Sequence, residues 1–286
     1  MLWFFLSLLT ALAVATSDAL SKIALKDCDA ETIAWVRWAF ALPFLLCFLP
    51  FIEIPELDRQ FWFIVFIALP LEITAIILYM KAIKVSPLSL TIPFLALTPV
   101  FLIITSFVFL GEFPDSSGIA GIMFIATGAY LLNVEKFREG IWAPLKAINN
   151  EKGSKLIILV ALIYSITSNL GKMAILHSSP LFFAISYTFL LTLFLAPFVW
   201  SRRRKEGVLF KVKPLLFVMI GLAYAVMLIC HFWAISLIEV AYMISIKRTS
   251  MIFSVIYGWL LFREENMRQR LLGSSVMAAG VALILL

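Results

Sequence analysis

Residues 97–112 read LTPVFLIITSFVFLGE, and residues 249–264 read TSMIFSVIYGWLLFRE. Each is an apolar helix that closes on a glutamate, and each leads into a second apolar segment with glycines at matching places. A shift of 152 residues superposes them: Phe101 falls on Phe253, and Glu112, Gly121 and Gly128 fall on Glu264, Gly273 and Gly280. The same shift pairs Ala82-Ile83 with Ala234-Ile235. A shift of 150 aligns Ala11-Leu12 with Ala161-Leu162, and Leu20, Lys22 and Ala24 with Leu170, Lys172 and Ala174. The two-residue slip lies in a loop or a helix end between these blocks. The chain is an internal duplication, and in a hydrophobic chain that places a binding site at the interface between the repeats.

Composition fixes the environment. Of 286 residues, 63% are hydrophobic and 14% charged, with a mean hydropathy of +1.04. Too little polar surface remains to cover a soluble domain of this size, and apolar runs of about 20 residues recur. Alternating ten-residue strand signatures are missing, so the expectation is an all-α membrane protein. Cys28, Cys47 and Cys230 are scattered and form no disulfide framework or metal spacing. The start of the chain carries Ala13-Val14-Ala15, which looks like a cleavage site. No basic residue precedes it, and its repeat counterpart is internal, so residues 2–25 read as a span and not a leader.

Hydropathy predicts spans over 2–25, 32–51, 61–80, 88–110 and 117–132, then 155–176, 179–199, 214–238, 239–262 and 267–286. These are ten transmembrane helices in two five-helix repeats, 1–133 and 155–286, joined by a linker over 134–154. An odd number of spans per repeat inverts the second copy relative to the first. The linker mixes Phe137, Ile141 and Trp142 with Lys136 and Arg138, as a surface-lying cytoplasmic segment would. Basic residues outside the spans fall on one side, from Lys22 and Lys26 through Arg202-Arg203-Arg204-Lys205 to Arg268 and Arg270. Arg59 alone falls on the other. The positive-inside bias therefore predicts outward-facing termini. Gly118, Gly121, Gly128, Gly273 and Gly280 mark faces for close packing, within the chain or in a homodimer.

Charges inside the spans single out the functional candidates. Arg, Lys or Asp at mid-bilayer costs roughly 2.5–3.5 kcal/mol on insertion scales and persists where it faces a cavity or a partner. Lys247 and Arg248 are adjacent in the ninth span. They either hold a substrate carboxylate or phosphate, or pair with Glu72 and Asp18 to brace the bundle. Glu72, in the third span, is a candidate proton site or fixed counter-ion, and its repeat mate at the 152 shift is Tyr224. Asp18, the second candidate for proton coupling, stands one turn from Lys22 and is placed to pair with it. Lys22 and Lys172 read as snorkelling residues. Arg37 between Trp35 and Trp38 reads as an interfacial anchor, and His231 as a hydrogen-bonded core histidine. Glu112 and Glu264 are expected to stabilise the N-terminus of the helix that follows each. Pro43, Pro87, Pro93 and Pro99 are bend points.

The stretches Leu97-Thr98-Pro99-Val100-Phe101 to Leu110-Gly111-Glu112, and Phe253 to Phe262-Arg263-Glu264, resemble the EamA-type branch of the drug/metabolite transporter superfamily. The resemblance covers essentially the whole chain. It implies two five-helix repeats and the transport of some small metabolite, and it implies cytoplasmic termini, opposite to the charge count. A narrower similarity lies in Met243 to Ser250. Sugar-phosphate and nucleotide-sugar translocators carry a Lys-Arg pair in this helix that holds the substrate phosphate. The phosphate translocators also have a Tyr 23 residues before that Lys, where Tyr224 stands here; Ile244-Ser245 replaces their Gly-Asn.

The expected function is thus a secondary transporter, not an enzyme, moving an organic acid, an amino acid or a phosphorylated compound by alternating access. No GxxxxGK[ST], HExxH or GxSxG motif occurs, so neither ATP drive nor intramembrane hydrolysis is supported, and no metal or cofactor is expected. The alternative is a lipid flippase or scramblase whose basic pair grips a headgroup phosphate. The expected partners are membrane lipids, a small-molecule substrate and, for the glycine faces, a second copy of the chain, with no nucleic acid. The expected location is the plasma (inner) membrane.

Overall fold

The structure, a computed structural model, describes residues 1–86, 92–131, 152–206, 214–262 and 267–285. Most of the predicted linker, Pro87, and Arg263 and Glu264 lie outside the described residues. Within them the chain is helical and has no strand. The first repeat contains α1 (Leu2–Ala24), α2 (Ala30–Leu46), α3 (Arg59–Val85), α4 (Leu97–Leu110) and α5 (Ser116–Leu131). The second contains α6 (Lys152–Leu176), α7 (Pro180–Glu206), α8 (Pro214–Leu237), α9 (Val240–Lys247), α10 (Ser250–Phe262) and α11 (Met267–Ile284). Helices α1, α3, α6, α7 and α8 are long and apolar enough to cross a membrane.

Side-chain caps set several of the boundaries. Asp29 accepts from Thr32 N at 2.7 Å and starts α2; Asp58 accepts from Phe61 N at 2.8 Å and starts α3. Asp115 accepts from Gly118 N at 2.7 Å at the head of α5. Gly111 ends α4 with φ +69°, a left-handed conformation that a side chain disfavours. There the Gly111 amide donates to Phe107 O at 3.1 Å and the Glu112 amide to Ser106 O at 3.3 Å, so the chain turns sharply at Glu112.

Two spans predicted to be continuous are broken, and at matching positions. The fourth begins as a 3-10 helix over Ile92–Ala96 and becomes α-helical only at Leu97. The ninth divides into α9 and α10 at Arg248 and Thr249. Under the 152 shift these breaks coincide. At the second, Thr249 N bonds to Ile246 O (3.0 Å), Met251 N to Arg248 O (3.1 Å) and Ile252 N to Thr249 O (2.9 Å), the tighter i→i−3 pattern. Hydroxyls contribute, since Ser245 Oγ donates to Ala241 O and Thr249 Oγ1 to Ile246 O, competing with the regular ladder.

The repeats are interleaved, not side by side. Helix α1 packs along α8, and its mates α6 and α3 pack on each other. Helix α4 lies on α6 just as α10 lies on α1, while α2 meets its own mate α7 and α5 meets its mate α11. Neither repeat can bury its inner face alone. The buried side of α1 is built of small residues, including Ser7, Thr10, Ala11, Ala15, Ser17 and Ala19, which lets backbones approach. The glycine faces are filled within the chain: Gly121 and Gly280 abut each other, as do Gly128 and Gly273.

Candidate functional site

The interleaving leaves a cavity of about 100 Å³ between the repeats. The first repeat contributes Arg37 and Trp38 from α2 and Glu72, Ile76 and Tyr79 from α3. The second contributes Tyr164 and Thr167 from α6, Phe183 and Tyr187 from α7, Tyr224, His231 and Phe232 from α8, and Lys247 and Arg248 at the break after α9. All four residues expected to bind substrate, Lys247, Arg248, Tyr224 and Glu72, therefore line one space.

Its first wall is a closed ion pair. Arg37 Nη1 donates to Asp18 Oδ1 at 2.8 Å, and Tyr79 Oη donates to Asp18 Oδ2 at 2.6 Å. The Arg37 guanidinium lies 4.4 Å from the Tyr224 ring centroid and 5.7 Å from that of Tyr79. Trp38 meets Tyr224 edge to face at 5.0 Å. Two expectations are corrected here. Arg37 is not an interfacial anchor: it is 3% exposed, because α2 starts at Ala30 and carries it into the bundle. Asp18 pairs with Arg37 and not with Lys22, whose ammonium donates instead to the Ile83 and Ser86 carbonyls. Nor does Asp18 brace Lys247 or Arg248.

The opposite wall is an open pair. Among the described residues, no carboxylate lies within 4 Å of Lys247 or Arg248. Both sit at the C-terminal end of α9, where the helix dipole favours a cation. Arg248 Nη2 donates to Thr98 Oγ1 at 2.9 Å, a bond that joins the two helix breaks. Glu72 and Thr167 line the same cavity, and Glu72 interacts with Lys247 only through space. Arg37 Nε, Arg248 Nε, Trp38 Nε1 and His231 Nδ1, all on residues lining the cavity, are buried without a partner. His231 is therefore not the hydrogen-bonded core residue expected, because its ring faces the cavity instead of a backbone acceptor. Buried polar atoms left unpaired are costly, and four of them gather around this one cavity.

Away from the cavity, two lysines close helix ends. Lys22 Nζ donates to Ile83 O and Ser86 O at the end of α3, the latter at 2.9 Å. Lys172 Nζ donates to Ile238 O at 2.8 Å, beyond the end of α8, and pairs with Glu112. Ser86 and Ile238 are mates under the 152 shift, so both lysines cap the third helix of their own repeat. Neither snorkels. Glu112 also departs from expectation: its Oε2 accepts from Val240 N at 3.0 Å and caps α9 in the other repeat, leaving α5 to Asp115. This partner is remote in sequence, so the glutamate at the end of α4 was legible but its target was not. Outside the spans, the Gly118 amide holds the Asp115 carboxyl below its usual range, and the Phe61 amide does the same for Asp58. Burial pushes the Cys28 thiol up.

Comparison with known proteins agrees with this architecture. The family model described as "EamA-like transporter family" matches twice, over residues 1–134 and 151–286. Among curated proteins no sequence match accompanies it. A solved structure described as "Crystal structure of protein" is similar over 100% of this chain and 97% of its own, with a TM-score of 0.65 at 15% identity; at that identity it speaks to the fold alone. With both repeats matched across nearly its whole length, the chain belongs to the EamA-like transporter family of the drug/metabolite transporter superfamily and is an integral, multi-pass membrane protein.

Proposed function

We propose that the protein is a secondary transporter of a small anionic or zwitterionic metabolite, working by alternating access across the plasma membrane. The observation that carries this reading is the Lys247-Arg248 pair, Arg248 buried and Lys247 partly so, in a cavity walled by both repeats, with no carboxylate among the described residues in salt-bridge contact with either. Two cations in a low-dielectric space are costly unless an anion visits them, and their donors suit carboxylate or phosphate oxygens.

In this reading the chain crosses the membrane ten times, with α9–α10 and the 3-10 helix–α4 segment as discontinuous spans. The interleaved contacts fit two inverted copies related by a two-fold axis in the membrane plane. The basic surface loops face the cytoplasm and both termini face outward. The coincident breaks provide the bend points for rocking, and the Arg248–Thr98 bond ties the anion site to both. Asp18, held by two donors, serves as a fixed counter-ion. Glu72, which shares the cavity with Lys247, is the proposed proton carrier.

The test is entry of labelled organic and phosphorylated anions into proteoliposomes, with and without unlabelled anion preloaded inside. The expected result is saturable uptake that Lys247→Ala lowers at least tenfold and that preloaded anion accelerates. Uptake indifferent to Lys247→Ala would remove the binding site from this cavity.

A further inference from the structure

Resting on the transport reading above, we infer that the cavity selects a small monoanion with an apolar body over dianions such as phosphate monoesters. Arg37 and Asp18 cancel at 2.8 Å, with Tyr79 closing the second carboxylate oxygen, so this pair offers no net charge to a ligand. Lys247 and Arg248 leave two positive charges, and Glu72, reached by Lys247 through space, supplies one negative. Counted over its Lys, Arg and Glu side chains and the Asp18 that closes on Arg37, the lining carries a single formal positive charge. One negative charge completes it, and a second would stand uncompensated beside Glu72.

The unpartnered atoms agree. Arg248 Nε–H, Arg37 Nε–H and Trp38 Nε1–H are three buried donors lacking acceptors on the cavity lining. Together with the Lys247 ammonium they suit the two oxygens of a single carboxylate. Arg248 has already given one nitrogen to Thr98, so it cannot offer its full fork to a phosphate. The remaining wall sets Ile76, Phe183, Met227, Phe232 and Ile235 beside the hydroxyls of Tyr164, Thr167 and Tyr187, a lining that fits a mainly hydrocarbon body carrying few polar groups. This sets the cavity apart from the sugar-phosphate chemistry to which the Lys-Arg pair and Tyr224 had pointed.

The experiment measures thermal stabilisation of the purified full chain at pH 7.5 by isovalerate, benzoate, succinate and glycerol phosphate. It compares wild type, Glu72→Gln and Lys247→Ala. The inference expects a monocarboxylate to bind wild type at least tenfold more tightly than either dianion, and Glu72→Gln to shift that ratio at least tenfold toward the dianions. Loss of stabilisation in Lys247→Ala places the binding in this cavity. Lys247-dependent binding that favours a dianion in wild type overturns the inference and leaves the transport site standing, whether or not Glu72→Gln folds. An unchanged ratio in a folded Glu72→Gln also overturns it. Stabilisation that survives Lys247→Ala overturns the site itself, and a wild type stabilised by none of the four at millimolar concentration removes both.

Discussion

Substituting Gly128 by alanine tests the closed face between the repeats. A methyl group built on Gly128 lies 2.6 Å from Gly273 O and 2.6 Å from both Cγ and N of Met277. Ordinary contacts begin near 3.4 Å, so three atoms, two of them backbone, must retreat by roughly 0.8 Å, and α5 and α11 must separate. Overpacking of this kind costs about 1–3 kcal/mol. A chain of this length loses roughly 2–4 °C of melting temperature per kcal/mol, so the expected fall is on the order of 2–10 °C. Gly171 is the internal control. Its added methyl would meet only Phe183 and Phe232 rings, at 3.8 and 4.0 Å, and alanine is the better helix former. Gly171→Ala should melt at or slightly above wild type. The assay is the unfolding of both variants in one detergent, followed by intrinsic tryptophan fluorescence. Gly128→Ala melting level with Gly171→Ala would refute the packing of α5 on α11.

Asp18→Asn strips the Arg37 guanidinium of its counter-charge in a site where both side chains are about 5% exposed or less. A loss of about 3–5 kcal/mol is expected, and Asp18→Asn combined with Arg37→Leu should recover part of it in the same melting assay. Lys172→Met removes the cation shared by Glu112 and the Ile238 carbonyl; it should raise hydrogen exchange at the α8–α9 turn, and unchanged exchange there would contradict the capping role. Asp115 titrates below its usual range because the Gly118 amide bonds its ionised form, so its stabilisation is present above the unfolded value near 3.9 and is lost as pH falls through the lower folded value. Melting temperature should therefore drop more steeply below about pH 4 in wild type than in Asp115→Ala.

Much of the fold was legible because duplication and hydropathy act over many residues at once. The pairing of Glu112, Gly121 and Gly128 with Glu264, Gly273 and Gly280 announced two copies, and adjacent cations at Lys247-Arg248 announced a polar space. Glu72 and Tyr224, mates under the shift, both reached it. Arg37 was misread because two flanking tryptophans suggested an interface, whereas its real partners, Asp18 and Tyr79, come from α1 and α3. A carboxylate in the first span and an arginine in the second, both too deep to reach water, were the available signal. The helix breaks were hidden for another reason. Ser245 and Thr249 are ordinary span residues until a neighbouring helix offers Arg248 an acceptor at Thr98.

The most direct measurement is the flux of a labelled monocarboxylate into proteoliposomes holding equal amounts of wild type or the Lys247→Ala, Arg248→Ala double variant, with melting temperatures recorded for both. An anion site at the break of α9 predicts that the double variant folds and melts at or above wild type, since two cations are gone from the cavity, yet carries flux at least tenfold lower. A folded double variant that transports at the wild-type rate would contradict it.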